Sequence, residues 1–530
     1  MTTLTNILRL MRAGWVFVVY GVQLFPSDVE VPVILKVFRS LSSLFGRFKS
    51  DQPHGQRLAH ALTKLGPSYI KLGQFLATRD DVIGSENARE LAKLQDRLPP
   101  FPMDQARKTI FQELGRNTED IFESFEPAVA AASIAQVHKA VLKGNPETAG
   151  SGKQVAVKIL RPGIEQRFQK DLQSYFFAAR LVENLHSGSR RLKPVAVVDT
   201  LAKSVELEMD LRMEAAAISE FSENTAGDEG FLIPKVEWSL SAKRVLTLDW
   251  VDGIPITNVA ELKSKGMDLK RLARLVVQSF LRHAMRDGFF HADMHQGNLF
   301  VDTEENIVAV DFGIMGRLGL KERHFLAEIL RGFLNRDYKR VARVHMEAGY
   351  VSLHHGEDNF AQALRAIGEP LMDKTADEIS MARLLGQLFQ VTEMFDMETR
   401  PELIMLQKTM VVVEGVGRSL DPNLNMWELA EPVVQEWIQL ELSPDGRLQE
   451  AAEGAASIGK LVGEIPSILM RAERTAESLS DMASEGLRLD NATIEKLARE
   501  QSKQNRLARV GIWILAIALV FIAVNLFILR

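Results

Sequence analysis

The stretch HADMHQGNLFVDTEENIVAVDFG, residues 291–313, decides the fold. Asp293 and Asn298 lie five positions apart, a spacing that can place a catalytic base and a metal-binding amide in one loop. The apolar run IVAV predicts a short strand. Asp311 follows it directly, where a carboxylate can hold Mg²⁺ across nucleotide phosphates. The stretch therefore predicts a site for a nucleoside triphosphate and Mg²⁺.

A lysine upstream completes this pattern. The β-branched runs SIAQVHKAVL (133–142) and QVAVKIL (154–160) flank a Gly- and Pro-containing segment and predict a hairpin, with Lys158 near the end of its second strand. The runs FLIPKVEW (231–238) and RVLTLDWV (244–251) predict two further strands. A strand-end lysine alone is usually only solvated, but its order with the downstream loop and the Asp311-Phe312-Gly313 motif is typical of a protein-kinase-like site.

A lysine that faces phosphates needs a carboxylate to fix its rotamer, and a helical stretch between the strand pairs supplies candidates. The segment ELEMDLRMEA, residues 206–215, lies in a helix predicted over about 197–221. We predict that Glu208 is the partner of Lys158, with Glu206 as the competing candidate by position.

The phosphate-binding loop of this site is rich in alanine instead of glycine. Because Cβ atoms restrict φ, this loop wraps phosphates less closely than a Gly-rich loop, and ordinary protein phosphorylation is disfavoured. The loop residues are Val129, Ala130, Ala131, Ala132, Ser133, Ile134, Ala135, Gln136 and Val137.

Together these motifs resemble the UbiB family of atypical, protein-kinase-like proteins of ubiquinone biosynthesis, over nearly the whole chain. Lys71-Leu72-Gly73-Gln74 resembles the family's KxGQ motif, and Glu208-Met209-Asp210 resembles its ExD motif. The Ala-rich loop, HADMHQGN and Asp311-Phe312-Gly313 complete the resemblance.

The resemblance implies an α+β, protein-kinase-like two-lobed fold with a helical N-terminal extension and a C-terminal transmembrane helix. It implies ATP bound by the Ala-rich loop and Lys158, Lys158 paired with Glu208 of the ExD motif, Asp293 as proton acceptor, and Mg²⁺ held by Asn298 and Asp311. It also implies that the extension carrying Lys71 and Gln74 folds over the site and covers the groove where a protein kinase takes its peptide.

Composition removes several other classes of protein. The chain has 530 residues, 46% hydrophobic and 25% charged, so most of it folds. A net charge of -5 provides no chain-wide basic field for nucleic acid, and the absence of cysteine excludes disulfides, thiolate metal sites and cysteine nucleophiles. His291 and His295 do not fit a zinc helix, so we interpret His291 as a residue that structures its loop.

Both ends of the chain indicate a membrane. Residues 510–529 form an uncharged run of 20 residues, about 30 Å as a helix, and predict a transmembrane span. Basic residues at 496–509 precede it, which predicts a single-pass protein of the cell inner membrane with its catalytic part in the cytoplasm. The basic, aromatic segment 1–50 suits a membrane surface, although packing of its apolar run on the next domain is an equal alternative.

The predicted domains are a membrane-proximal segment (1–53), a helical extension (54–121), a kinase-like N-lobe (122–252), a C-lobe (253–440), a helical stalk (441–509) and the anchor (510–530). The favoured function is an ATPase or a small-molecule or lipid kinase that supports ubiquinone biosynthesis, and the alternative is a nucleotide-gated scaffold that presents polyprenyl quinone precursors. A polyprenylphenol hydroxylase ranks last because the sequence has no dinucleotide fingerprint or iron triad. Expected partners are membrane lipid and other ubiquinone-biosynthesis proteins or polyprenylphenol intermediates, and a homodimer is left open.

Overall fold

The computed structural model describes most of the chain up to residue 442. The described residues are 3–22, 54–77, 91, 98–144, 152–185, 193–372, 391, 394, 395, 397 and 401–442. The chain divides into two compact units, residues 1–439 and 440–530. None of the helices in the described ranges is long and apolar enough to cross a bilayer. The predicted stalk and the predicted span lie outside the described residues.

The N-lobe is built on a four-stranded antiparallel sheet with the order β1-β2-β3-β5. Its strands are β1 (Phe122–Ala131), β2 (Ala135–Leu142), β3 (Gln154–Leu160) and β5 (Val245–Asp249). The β2–β3 hairpin confirms the prediction from the paired β-branched runs. Lys158 pairs with Val137 of β2 and Leu246 of β5, so all three side chains lie on one face of the sheet.

The two faces of this sheet contact different parts of the protein. The face opposite Lys158 carries Val155, Val157 and Ile159, which pack with α4 (Met103–Leu114) through Ala106 and Ile110 in a separate core cluster. Because side chains alternate along a strand, this leaves the Lys158 face for the cleft between the lobes.

Helices cover the N-lobe on its other sides. The extension contributes α1 (Thr3–Val19), α2 (His54–Leu65) and α3 (Pro67–Leu76). The lobe itself has α5 (Thr118–Ile121), α6 (Ile164–Leu185), α7 (Pro194–Glu208) and α8 (Leu211–Asn224). The prediction of a single helix over 197–221 is wrong in one respect, because the structure has two helices there. The helix breaks at Met209, and Asp210 caps α8 by accepting a hydrogen bond from the backbone N–H of Arg212 at 3.1 Å.

The C-lobe combines helices with short strands. A second sheet has the order β4-β9-β8-β6, and β7 pairs with β10. These strands are β4 (Phe231–Leu232), β6 (Ile254–Pro255), β7 (Phe289–His291), β8 (Leu299–Val301), β9 (Ile307–Ala309) and β10 (Met315–Arg317). The described helices are α9 (Val259–Ser264), α10 (Leu269–Arg282), α11 (Leu320–Leu334), α12 (Tyr338–Glu347), α13 (Glu357–Met372), α14 (Pro401–Leu420) and α15 (Met426–Leu442).

One predicted strand is divided in two. Of the run at 231–238, Phe231 and Leu232 form a strand that pairs in parallel with β9 of the C-lobe, whereas Val236 makes an isolated antiparallel bridge to Leu248 of β5. Pro234 interrupts the run and has no backbone N–H for a ladder, which limits the strand to its first two residues.

Candidate functional site

The centre of the site is an ion cluster around Lys158. Its Nζ donates to both carboxylate oxygens of Glu214, at 2.8 and 2.9 Å, and to Oδ1 of Asp311 at 2.8 Å. Burial alone would lower the pKa of Lys158, but the negative charges of Asp311 and Glu214 outweigh it and raise the pKa well above its usual value. Lys158 therefore carries a fixed positive charge at the end of β3.

The partner of Lys158 is Glu214 and not Glu208, so that prediction is wrong. Glu214 lies on the apolar side of α8 with Leu211, Ala215 and Ile218, and its side chain is only 7% exposed. The backbone N–H of Phe312 also bonds to the Glu214 carboxylate. A carboxylate on an otherwise apolar helical face is costly to bury without a partner, and that sequence signal could have identified it.

Glu208 makes a different ion pair. Its carboxylate lies 2.5 Å from Nζ of Lys71 on α3, and both side chains are largely buried. The positive charge of Lys71 also helps to keep the pKa of Asp311 low. The KxGQ and ExD motifs therefore bind each other, and they hold the extension within electrostatic reach of the Asp311 carboxylate. Glu206, the competing candidate, is exposed.

The other residues of these two motifs have distinct positions. Gln74 lies one turn along α3 from Lys71. Asp210 sits at the N-terminus of α8, where its carboxylate pairs with the guanidinium of Arg212 at 2.6 Å. This hydrogen bond lowers the pKa of Asp210. Asp210 thus stabilises the start of the helix that carries Glu214.

Asp311 lies two residues beyond the end of β9, in a left-handed conformation with φ of 63°. The charge of Lys158 holds the pKa of Asp311 below its usual range. The next residue, Phe312, is buried against Phe221 of α8, with ring centroids 5.6 Å apart. The contacts of Phe312 with Phe221 and Glu214 thus fix the orientation of Asp311 relative to α8.

The predicted catalytic loop is held together by His291. Its Nδ1 accepts from the backbone N–H of Asp293 at 3.1 Å, which makes Nε2 the donor to the carbonyl of Val310 at 3.2 Å. Burial lowers the pKa of His291, so the ring is neutral. The interpretation of His291 as a loop-structuring residue is confirmed.

The same loop orients Asn298 relative to Asp293. The side-chain amide nitrogen of Asn298 donates to the backbone carbonyl of Asp293 at 3.0 Å. The backbone carbonyl of Asn298 accepts from the backbone N–H of Val310 at 2.9 Å. The side-chain oxygen Oδ1 is therefore the Asn298 atom that can bind a metal. The Asp293 carboxylate is one-third exposed and lies 3.8 Å from the His295 ring. The backbone of Val310, the residue before Asp311, thus bonds to both Asn298 and His291 and connects the loop to Asp311.

The Ala-rich loop is shorter than predicted. Residues 129–131 belong to β1 and residues 135–137 to β2, so only Ala132, Ser133 and Ile134 form the turn. Arg161 fixes this turn from outside, because its guanidinium donates twice to the carbonyl of Ala132, at 2.8 and 3.0 Å. The turn is therefore held by its two strands and, at its first residue, by Arg161.

Two predicted nucleotide contacts from this region point in opposite directions. Val137 pairs with Lys158 and shares its face of the sheet. Gln136 pairs with Ile159 on the opposite face, where its side chain bonds to the backbone of Phe101 at 2.8 and 3.3 Å. The prediction that Gln136 contacts ATP is therefore wrong, because strand alternation turns it away from the cleft.

The oxygen donors at the site suit a hard divalent cation. The Asp311 carboxylate and the Asn298 amide oxygen are ligands that Mg²⁺ prefers, and the Lys158 ammonium next to Asp311 suits phosphate oxygens. The residues present therefore fit a bound nucleotide with Mg²⁺.

Comparison with known proteins agrees with this geometry. Residues 93–345 match the family described as ABC1 atypical kinase-like domain, and residues 364–425 match the UbiB helical domain. "Probable protein kinase UbiB" of Marinobacter nauticus is 36% identical over 522 residues, which cover 97% of this chain and 93% of that protein. The chain belongs to the UbiB family.

Two more UbiB relatives and one solved structure are consistent with this assignment. The proteins of Pseudomonas aeruginosa and Shewanella piezotolerans with the same name are 38% and 37% identical and cover 89% and 92% of this chain. The solved complex of Rv3197 with erythromycin from Mycobacterium tuberculosis has a TM-score of 0.51 at 23% identity, and it covers 74% of this chain and 97% of that chain. It supports the kinase-like fold.

The UbiB helical domain is connected directly to the predicted catalytic loop. Thr409 of α14 is buried, and its hydroxyl donates to the carbonyl of Ala292 at 2.9 Å. The backbone N–H of Ala292 donates to Ile314 at 3.0 Å. The residue before Asp293 is thus fixed on both sides, and sequence reasoning missed Thr409 because its partner is 117 positions away.

Proposed function

We propose that this UbiB-family chain is a Mg²⁺-dependent, ATP-using enzyme, an ATPase or a kinase of small molecules or lipids, that supports ubiquinone biosynthesis at the membrane. The observation that carries the proposal is the contact of Lys158 with both Glu214 and Asp311, beside the loop of Asp293 and Asn298. A buried lysine fixed by one carboxylate, with a second carboxylate beside it, is the arrangement by which protein-kinase-like sites bind nucleotide phosphates and Mg²⁺.

Each residue has a distinct role in this proposal. Lys158 binds phosphate oxygens, with Glu214 fixing its position, while Asn298 and Asp311 hold Mg²⁺. When bound, Mg²⁺ supplies positive charge that offsets the charge developing on the phosphates. The Asp293 carboxylate accepts the proton of the attacking water or hydroxyl. His291 and Asn298 orient the backbone of Asp293 for that role.

The acceptor is proposed to be small. The Lys71–Glu208 pair ties α3 of the extension to the end of α7, next to the helix that carries Glu214. Alanine in the phosphate turn also disfavours the close wrapping used by protein kinases. Water, a polyprenylphenol intermediate or another lipid-soluble hydroxyl compound fits such a site better than a peptide segment.

A nucleotide-gated scaffold is the second candidate. Lys158 and Asp311 contact each other directly, at 2.8 Å. Phosphate and Mg²⁺ would compete for this ion pair, so nucleotide binding would separate the two groups and could shift α8 or the extension without catalysis. This candidate assigns the site a switching role in the presentation of quinone precursors.

Phosphate release from ATP by the full chain in lipid vesicles tests the proposal, with Mg²⁺ and with or without a quinone head-group phenol. Asp293→Asn should abolish release while leaving Mg²⁺-dependent nucleotide binding intact, because only the proton acceptor is lost. Asp252→Asn, at an exposed position, is the matched control and should retain activity. Tight nucleotide binding without release by the native chain would favour the scaffold.

A further inference from the structure

A cavity of about 300 Å³ lies where the helical extension meets the N-lobe. Its walls come from the start of α3 (residues 66–67), the linker before α4 (residues 98–99) and the connection from β3 into α6 (residues 161–164). Arg167, one turn along α6, completes the lining. None of the described lining residues belongs to the predicted nucleotide site, so the cavity is a separate candidate for a ligand.

The cavity combines apolar walls with positive charge. The apolar side chains are Pro67, Leu98, Pro99, Pro162 and Ile164, and the charged ones are Arg161 and Arg167. No acidic residue is among the described residues that line it. Glu165, which follows the wall at the start of α6, pairs with Lys243 and Arg244 instead. A ligand that fits both features has an anionic group on an apolar body.

Arg167 is fixed against the start of α3. Its Nη2 donates to the backbone carbonyl of Leu65 at 3.0 Å, which uses one of the five N–H groups of a guanidinium. The guanidinium lies so close to Gly66 that a Cβ atom at this position would clash with it. Gly66 also has a φ of 107°, in the region that favours glycine. The absence of a side chain at Gly66 therefore makes room for the guanidinium in the cavity wall.

Arg161 connects the cavity to the phosphate turn. Its guanidinium donates to the carbonyl of Ala132 at 2.8 and 3.0 Å and to the carbonyl of Pro99 at 2.9 Å. The backbone N–H of Leu98 donates to the carbonyl of Ala131 at 3.3 Å. The linker wall of the cavity and the phosphate turn are thus bound to each other, both directly and through one arginine. A ligand that contacts Arg161 therefore acts on that turn.

We propose that this cavity binds a small aromatic carboxylate and that the bound acid weakens nucleotide binding. A carboxylate matches the fork of a guanidinium, and a planar ring stacks on guanidinium groups and packs on proline rings. The N-terminal ends of α3 and α6 both lie at the cavity, and their positive ends also favour an anion. A carboxylate on Arg161 competes with the carbonyl of Ala132 for its N–H groups, which loosens the phosphate turn. The coupling rests on the proposed function, whereas the binding itself does not.

Fluorine NMR of 4-fluorobenzoate measures the binding directly, with the full chain in detergent micelles and with empty micelles as the blank. We expect a dissociation constant of about 1 mM or below, because the probe has only about ten non-hydrogen atoms. Benzoate should displace the probe, whereas inorganic phosphate at the same concentration should not, because phosphate has no apolar body. Fluorobenzene, which lacks the carboxylate, should bind about tenfold more weakly or not at all.

Three variants locate the binding site of the probe. Arg161→Gln and Arg167→Gln should each weaken binding by about tenfold, because each removes a positive charge from the wall. Leu98→Trp keeps both arginines but fills the cavity, so it should abolish binding while the circular dichroism spectrum stays as in the native chain. Arg274→Gln removes a charge from an exposed position of α10 and is the matched control, with binding unchanged.

The coupling has its own measurement, with a fluorescent ATP analogue and Mg²⁺. Saturating benzoate should weaken nucleotide binding by about fivefold, and saturating nucleotide should weaken benzoate binding by the same factor, because linkage between two binding sites is reciprocal. In Leu98→Trp, benzoate should leave the affinity for the nucleotide unchanged.

The possible failures are distinguishable. Unchanged binding of the probe in Leu98→Trp, or its displacement by phosphate as readily as by benzoate, would overturn the aromatic carboxylate site. Equal nucleotide affinity with and without benzoate would overturn the coupling and leave the site. A chain that binds benzoate but no nucleotide would contradict the proposed function and the coupling, while the benzoate titration would still support the site.

Discussion

Glu214 is the residue on which the charge balance of the site depends most. Its side chain is 7% exposed and holds Lys158, which is 16% exposed, with two hydrogen bonds. A buried ammonium that loses a carboxylate partner is left with uncompensated desolvation. The second carboxylate, from Asp311, limits that loss but lies on the more exposed side of the cluster.

We therefore expect Glu214→Gln to lower the free energy of unfolding by about 3 kcal/mol, the lower end for breaking a buried ion pair, and to weaken nucleotide binding. Glu206→Gln, at an exposed position of the preceding helix, should change stability by less than about 0.5 kcal/mol. Urea unfolding followed by tryptophan fluorescence measures both. Equal effects of the two substitutions would contradict the assignment of Glu214 to Lys158.

The Asp311 carboxyl makes the free energy of unfolding depend on pH in the acid range. Lys158 holds the pKa of this carboxyl below its usual range. The Asp311 contribution to stability is thus complete above the pKa of an unfolded aspartate, about 3.9, and is lost as the pH falls through the lower folded pKa. Asp311→Asn should therefore flatten the decrease in unfolding free energy between about pH 5 and pH 2. Asp252→Asn removes the same charge from an exposed position and should leave the slope as in the native chain.

At the level of single elements, the sequence predicts local motifs well and distant partners poorly. The loop of Asp293 and Asn298, and Asp311 after its strand, follow from spacing along a short segment. The partner of Lys158 does not, because Glu208 and Glu214 both lie near the same helical break and only the packing of α8 decides which of them faces β3.

The break between α7 and α8 was not predicted from the sequence. The apolar pattern continues through Met209, which predicts one helix, but Asp210 adopts an extended conformation and starts a new one. As a result, Glu208 ends α7 and pairs with Lys71, while Glu214 lies on the buried side of α8. A residue type with strong N-cap preference inside the run was the available signal.

The Lys71–Glu208 pair provides a prediction about the extension. Lys71→Met should expose α3 and increase hydrogen exchange over residues 67–76, because Glu208 then lacks its partner. Exchanging the charges, Lys71→Glu with Glu208→Lys, should restore part of the protection. Lys64→Met, at an exposed position at the end of α2, is the control and should leave exchange in α3 unchanged. Unchanged exchange after Lys71→Met would show that apolar contacts alone hold the extension.

At the scale of the whole molecule, family-specific parts surround a kinase-like centre. The extension reaches the site through Lys71, and the UbiB helical domain reaches the predicted catalytic loop through Thr409. The two additions therefore contact the site region at two different points, Glu208 and Ala292. Because each addition contacts this region directly, a change in the position of either one can act on the predicted nucleotide site.

The membrane anchor predicted from the sequence gives the last prediction. The sequence predicts a transmembrane helix at residues 510–529, with a basic segment before it, and this helix lies outside the described residues. The full chain should therefore resist extraction from membranes by alkaline carbonate, whereas the chain without residues 510–530 should be released. Carbonate resistance of the shortened chain would place the integral membrane segment elsewhere.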